Sequence, residues 1–176
     1  MVSGHAILTR SISISNAYYS MLGNSEFMRK WIGWIARGFG AGLSPYAPGT
    51  FGTLLGIPII LALNLLPVAG YVIGAMLLVL LSISASSYVS RALEIEDDPT
   101  IVIDEIAGFV IAMMFVPISL STMILGFVFF RLFDIFKPPP ANWIDRRFRG
   151  GIGITGDDLV AGVYTNIVLQ VGLYAL

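Results

Sequence analysis

The sequence predicts an all-α protein, a multi-pass transmembrane bundle of about five hydrophobic helices preceded by an N-terminal amphipathic helix. The chain of 176 residues is 56% apolar and only 12% charged, and its mean hydropathy is +0.84. Soluble domains carry nearer a quarter charged residues, so this composition indicates an integral membrane protein. The apolar residues also fall into five runs, at 51–66, 68–90, 101–116, 118–136 and 159–176.

The first predicted element is the amphipathic helix in "SEFMRKWIGWIARGFG" (25–40), where apolar residues recur at helical spacing. We expect it to lie in the membrane interface, with Trp31 and Trp34 near the lipid headgroups. An ordinary helix packed on the rest of the protein is the open alternative. The predicted boundary separates residues 1–40, the tail and this helix, from a membrane domain at 41–176.

Two of the apolar runs are short for membrane spans. Runs 51–66 and 101–116 contain 16 residues each, which at about 1.5 Å per residue cover ~24 Å of a hydrocarbon layer ~30 Å thick. Their polar ends must therefore lie in the interface or in a cavity lined by protein. Five spans is the preferred count, and four spans is the alternative.

The loops differ in charge, and the difference predicts topology. The turns near Pro67 and Pro117 carry no charge, whereas the N-terminal region and the loops at 91–100 and 137–158 carry nearly all of it. With five spans these charged segments share one face, which the positive-inside rule makes cytoplasmic. The basic residues concerned are Arg29, Lys30, Arg37, Arg146, Arg147 and Arg149.

Composition also limits the chemistry. The chain has no cysteine, which excludes disulfides and thiol nucleophiles, and its one histidine, His5, lies in the polar tail. A net charge of −1 gives no basic field to attract nucleic acid. Carboxylates, Arg, Lys, hydroxyls and backbone amides must therefore supply any catalysis.

The glycine-rich stretch "GFGAGLSPYAPGTFGTL" (38–54) precedes the first apolar helix. Pro48–Gly49 is typical of a turn, and Thr50 is a candidate N-cap. A helix N-terminus with free N–H groups and small neighbours is suited to an anion. A loop with glycines for tight packing is the structural alternative.

The stretch "EDDPTIVIDEIAGFV" (96–110) places Asp104 and Glu105 in an apolar helix. If the helix starts at Pro99 and Thr100, these acids lie about one turn inside it, where capping does not explain them. A carboxylate in the membrane costs roughly 2.5–3.5 kcal/mol, so a bound cation or a basic partner is expected. The three preceding acids, at 96–98, are expected to be solvated.

The region 131–158 contains nine of the 21 charged residues of the chain. Arg131 and Asp134 share a helix face by their spacing, and three prolines from Pro138 end that helix. Asp157 and Asp158 are expected at the N-terminal edge of the last helix, where the helix dipole favours acids in any protein.

Acids from three segments thus converge on one membrane face beside basic residues. Carboxylates are ligands that Mg²⁺ prefers, and Arg or Lys beside such a metal suits a phosphate monoester. The set indicates metal-dependent phosphoryl chemistry on a membrane lipid. A small cation- or proton-coupled transporter using the same acids is the alternative, although transporters place such acids near the midplane.

Four ordered blocks, "GLSPYAPGTFGTL", "IVIDEIAGF", "FRLFDIFKPPP" with "NWIDR", and "GGIGITGDDLVAGVY", resemble the phosphatidylglycerophosphatase A family. The resemblance implies a bacterial, Mg²⁺-dependent, multi-pass phosphatase of the cytoplasmic membrane. Its substrate would be phosphatidylglycerophosphate, its product phosphatidylglycerol, and its active site would face the cytoplasm. The implied metal ligands are Asp104, Glu105, Asp134, Asp145, Asp157 and Asp158. The implied phosphate-binding residues are Gly49, Thr50, Thr53, Arg131, Lys137 and Arg146.

Of the acids, Asp134, Asp104 and Asp158 are the expected catalytic residues, and Asp134 is the strongest single candidate. The nucleophile is either a metal-activated water, which we favour, or one of the carboxylates.

Overall fold

A computed structural model describes residues 26–95 and 98–175, with side chains from Lys30 onward. Every regular element in these ranges is helical, which confirms the all-α prediction. His5, Glu96 and Asp97 lie outside the described residues. The elements are α1 (Glu26–Ala36), a 3₁₀ helix (Gly38–Leu43), α2 (Pro48–Leu63), α3 (Val68–Leu93), α4 (Ile103–Ala112), α5 (Leu120–Phe136), α6 (Ala141–Arg147) and α7 (Gly151–Tyr174).

The bundle is organised around α4 and α7. α7 packs on α3, α4, α5 and α6, while α4 also packs on α2 and α3. The main core includes Phe109 and Phe130, fully buried, with ring centroids 5.7 Å apart. A second core cluster, including Ala36, Val89 and Ile103, joins α1 to α3 and α4.

The start of α2 differs from the prediction. Pro48 and Gly49 form the first turn of the helix rather than a preceding turn, and the N-cap is Ala47, in a left-handed conformation. Thr50 is therefore not the cap, and its N–H donates to the Ala47 carbonyl. Pro48 is favoured at this position because its missing N–H has no partner there in any helix.

The start of α4 also differs from the prediction. Asp98 is buried, not solvated, and accepts hydrogen bonds from the backbone N–H and hydroxyl of Thr100. This Asx-type turn delays the helix to Ile103. Asp104 and Glu105 therefore occupy the first turn of α4, where the helix dipole favours acids.

The other end of α4 lies inside the protein, because neighbouring helices satisfy its carbonyls. The Tyr71 hydroxyl donates to the Val110 carbonyl at 2.9 Å, and Asn166 Nδ2 donates to the carbonyls of Ala112 at 3.0 Å and Met114 at 2.7 Å. A buried helix terminus needs such partners in place of water. A helix of only 10 residues can therefore end at Ala112 within the apolar core.

The crossing of α4 and α7 depends on two glycines. A Cβ at Gly162 would lie 2.3 Å from the Gly108 carbonyl oxygen, and one at Gly108 would lie 2.6 Å from the Asp158 carbonyl oxygen. Any larger residue at either position would separate the two backbones. Because neither glycine has a side chain, the two helices approach closely, and Asp158 lies next to the first turn of α4.

The predicted five-span arrangement is not confirmed. Among the described helices, α3 is the one that is long and apolar enough to cross a membrane by length and composition, and α2 is a shorter apolar helix. The run at 101–116 forms a helix of only 10 residues, and the run at 118–136 forms one of 17. The last helix has 24 residues but includes Asp157, Asp158, Asn166 and Gln170.

Candidate active site

Three carboxylates from two helices meet where α4 crosses α7. Asp104 and Glu105 come from the first turn of α4, and Asp158 comes from α7; one ligand oxygen of each lies within 4.8 Å of the others. Asp104 and Asp158 are 6% and 3% exposed, so these charges are removed from water. Asp158 is the eighth residue of α7, beyond its first turn, so the expected explanation by the helix dipole does not apply.

The base of α5 adds Arg131 and Asp134 to this cluster. Arg131 Nη1 lies 2.7 Å from Asp134 Oδ2 and 3.9 Å from Glu105 Oε1. The two residues share one helix face, as their spacing predicts. Arg131 contacts two of the four carboxylates grouped here, and one guanidinium carries too little positive charge to neutralise all four if they are ionised.

The cluster fits a divalent cation. Glu105 Oε2 is buried and has no hydrogen-bond partner among the described residues. Burying a carboxylate oxygen without a partner is costly, and a bound cation would offset that cost. Grouped carboxylate oxygens are also the ligands that Mg²⁺ prefers.

The first turn of α2 forms another wall of the site. A Cβ at Gly49 would lie 2.2 Å from Glu105 Oε1 and 3.0 Å from Arg131 Nη1, so the α2 backbone directly adjoins both side chains. Thr50 is half-buried in the same turn. Thr53 is fully buried, and its hydroxyl donates to the Gly49 carbonyl at 2.8 Å, which supports the turn from below.

The remaining predicted residues lie around Lys137 and on α6. Lys137 Nζ is 2.5 Å from Asp157 Oδ2 and 3.5 Å from Asp145 Oδ2. Asp157 precedes the apolar part of α7, and burial raises its pKa to about 6 although Lys137 lowers it. Arg146 is exposed on α6, beside Asp145. The structure thus groups Asp145 and Asp157 with a lysine rather than with the three-carboxylate cluster.

A further polar network supports the start of α4, and the sequence interpretation missed it. Arg37, assigned only to topology, is 7% exposed, and its Nε donates to the Thr100 hydroxyl at 2.9 Å. Thr100 in turn donates to Asp98, and the Val102 N–H donates to the Ala36 carbonyl at 2.9 Å. The Asp-Pro-Thr sequence is a turn signal that would have identified the Asp98 end of this network.

Comparison with known proteins identifies the same family that the sequence resembles. A family model described as phosphatidylglycerophosphatase A matches residues 34–173. A phosphatidylglycerophosphatase A of Escherichia coli is 38% identical over 136 residues, which cover 77% of this chain and 79% of the relative. A phosphatidylglycerophosphatase A of Haemophilus influenzae is 36% identical over 137 residues, covering 77% and 84%.

A third relative carries a different name. A putative phosphatidylinositol-3-phosphatase of Bacteroides thetaiotaomicron is 38% identical over 149 residues, covering 81% of this chain and 93% of the relative. No solved structure matches the chain. The family model and the two relatives of the same name cover most of the chain, and the chain therefore belongs to the phosphatidylglycerophosphatase A family, a family of phosphatases that act on a phosphate monoester.

Proposed function

We propose that this protein is a Mg²⁺-dependent lipid phosphatase that hydrolyses phosphatidylglycerophosphate to phosphatidylglycerol and phosphate. The observation that carries the proposal is the buried cluster of Asp104, Glu105 and Asp158, with an unpartnered Glu105 oxygen beside Arg131. Family membership supports the choice of a phosphate monoester as substrate.

In this proposal Asp104, Glu105 and Asp158 would hold the Mg²⁺, with Asp134 adjoining them. When bound, the ion supplies charge neutralisation for the phosphoryl oxygens. The Arg131 guanidinium donates to the phosphate, and Asp134, 2.7 Å away, fixes its orientation. In the first turn of α2, Pro48 has no N–H and the Thr50 N–H donates to the Ala47 carbonyl, so the Gly49 N–H is the amide that remains for the phosphate.

Hydrolysis requires a nucleophile and a proton for the leaving group. We favour a water whose oxygen bonds to phosphorus as the bond between phosphorus and the glycerol oxygen breaks, and whose proton passes to that oxygen. A cluster carboxylate acting as the nucleophile is the alternative. Burial of the cluster keeps bulk water from competing for its charges.

We also propose that the protein is embedded in the bacterial cytoplasmic membrane by about five spans, with the site at the cytoplasmic face. α3 and α5 support this, since both expose large apolar side chains that a bilayer would cover. These exposed residues include Ile73, Met76, Leu77, Leu80 and Leu81 on α3, and Ile124, Leu125, Val128, Leu132, Ile135 and Phe136 on α5.

Phosphate release in detergent tests the proposed function. We expect purified protein to release phosphate from phosphatidylglycerophosphate with Mg²⁺, to stop in excess EDTA, and to recover when Mg²⁺ is restored, because the cluster requires a cation. Phosphatidylinositol 3-phosphate, assayed in parallel, tests the other substrate that a relative's name suggests. Absence of metal-sensitive release from either lipid would contradict the proposal and favour the transporter alternative.

Replacing Asp134 tests the Arg131 contact. Asp134→Asn removes the charge that orients Arg131, so we expect kcat/KM to fall about a hundredfold, since misplaced phosphate-binding groups cost that much. Steady-state kinetics in mixed micelles would measure it. Glu94→Gln, at an exposed acid outside the site, is the charge-matched control. Full activity in a correctly folded Asp134→Asn protein would show that Asp134 is not an active-site residue.

A further inference from the structure

Two candidate phosphate-binding cations lie at separate places along α5. Arg131 lies beside Glu105 and Asp134, whereas Lys137 lies beside Asp145 and Asp157. Lys137, the C-cap of α5, lies six positions after Arg131, which is about 9 Å along the helix axis. The neighbouring acids Asp157 and Asp158 of α7 also divide between the two places. The site therefore has two centres of positive charge rather than one.

Lys137 has two carboxylate partners, one buried and close and the other more exposed and more distant. Lys137 caps α5 in the left-handed region, at φ 44°, a conformation that a residue other than glycine adopts at a cost. Its partner at 2.5 Å, Asp157, is buried, and Asp157 Oδ1 has no hydrogen-bond partner among the described residues. Its partner at 3.5 Å, Asp145, is 37% exposed and more distant. An incoming anion would therefore displace Asp145 and leave Asp157 in place.

We propose that Lys137 binds a second phosphate of the substrate, the phosphodiester that joins its headgroup to the lipid. This inference rests on the proposed function. The terminal monoester lies at Arg131 and the carboxylate cluster, and the diester lies at Lys137, whose side chain is 29% exposed. The substrate class is a phospholipid whose headgroup is joined to the lipid by a phosphodiester and carries a terminal phosphomonoester. Asp145 then serves as the carboxylate that the diester replaces, not as a metal ligand.

The test compares phosphatidylglycerophosphate, which has both phosphates, with phosphatidic acid, which has the monoester alone. We expect the wild-type enzyme to prefer the first lipid in kcat/KM. A charged hydrogen bond contributes about 1.5–3 kcal/mol, so Lys137→Met should reduce the ratio of the two kcat/KM values about tenfold or more. Asp145→Asn should lower KM for phosphatidylglycerophosphate alone, since the competing carboxylate charge is gone. Glu94→Gln should leave the ratio unchanged.

Lys137→Met leaves Asp157 buried without its lysine, so this variant can fail to fold. Asp145→Asn keeps that pair and carries the test in that case. An Asp145→Asn protein that needs more Mg²⁺ and shows no lower KM would overturn the inference. So would equal use of the two lipids by the wild type, and both results leave the phosphatase activity standing. A wild type that hydrolyses neither lipid overturns the proposed function, and this inference with it.

Discussion

Asp158→Asn is expected to lower kcat by about 10²–10³-fold, because the cluster loses one of its three carboxylates and the amide cannot replace the charge. The same variant should change the thermal stability in opposite directions without metal and with Mg²⁺. Without metal, crowded buried carboxylates repel one another, so removing one charge should raise Tm by a few degrees in EDTA. Bound Mg²⁺ stabilises the folded state, and that gain should be largely lost. Thermal denaturation in EDTA and in Mg²⁺ measures both effects.

The neighbouring variant Asp157→Asn is the matched comparison, since the substitution is the same one residue away. Asp157 contacts Lys137 rather than the cluster, so stabilisation by Mg²⁺ should persist. If Asp158→Asn instead lowers Tm in EDTA and keeps its response to Mg²⁺, Asp158 is a structural residue and the metal assignment is wrong.

Gly49→Ala is expected to reduce kcat/KM about a hundredfold. The added Cβ would lie 2.2 Å from Glu105 Oε1, so either α2 or the Glu105 side chain must move. A displacement of about 1 Å in a catalytic group costs activity on this scale. Overpacking should also destabilise the fold by about 1–3 kcal/mol. Steady-state kinetics and thermal denaturation of the purified variant measure the two effects.

Gly172→Ala provides the control, because a Cβ at Gly172 would meet no atom within 4 Å among the described residues. This variant should keep its activity and gain slightly in stability, since Ala favours a helix over Gly. Equal activities for Gly49→Ala and Gly172→Ala would show that the first turn of α2 does not border the phosphate.

The helical character was predictable from composition and periodicity, but the helix boundaries near the site were not. The acids of α4 were expected one turn inside the helix, because Pro99 and Thr100 resemble a helix start. In the structure, the buried Asp98 accepts a hydrogen bond from the Thr100 N–H in a turn, and α4 therefore begins only at Ile103. The Asp-Pro-Thr sequence is a local signal for this turn, but the hydrogen bond from Arg37 to Thr100 joins residues 63 positions apart, so no local pattern predicts it.

The sequence named candidate residues in each segment that meets at the cluster, but it did not predict how these residues group. The sequence places Asp134 and Arg131 on one face, and the ion pair agrees. Adjacent acids such as Asp157 and Asp158 look equivalent in a sequence, yet a helix turns by about 100° per residue and directs them to different partners. The crossing of two helices decides which side chains meet, and the crossing of α4 and α7 requires that Gly108 and Gly162 have no side chain.

The aromatic core beneath the site has a consequence for ions. Phe109 lies one turn below Glu105 on α4, Phe130 precedes Arg131 on α5, and both are fully buried with Met113 close by. A charge that reaches the carboxylates meets hydrocarbon on the far side, where solvation is poorest. We therefore expect ions to reach the carboxylates from one side only, as the proposed hydrolase requires. A hydrolase needs one entrance, through which substrate enters and phosphate leaves, whereas a transporter needs two.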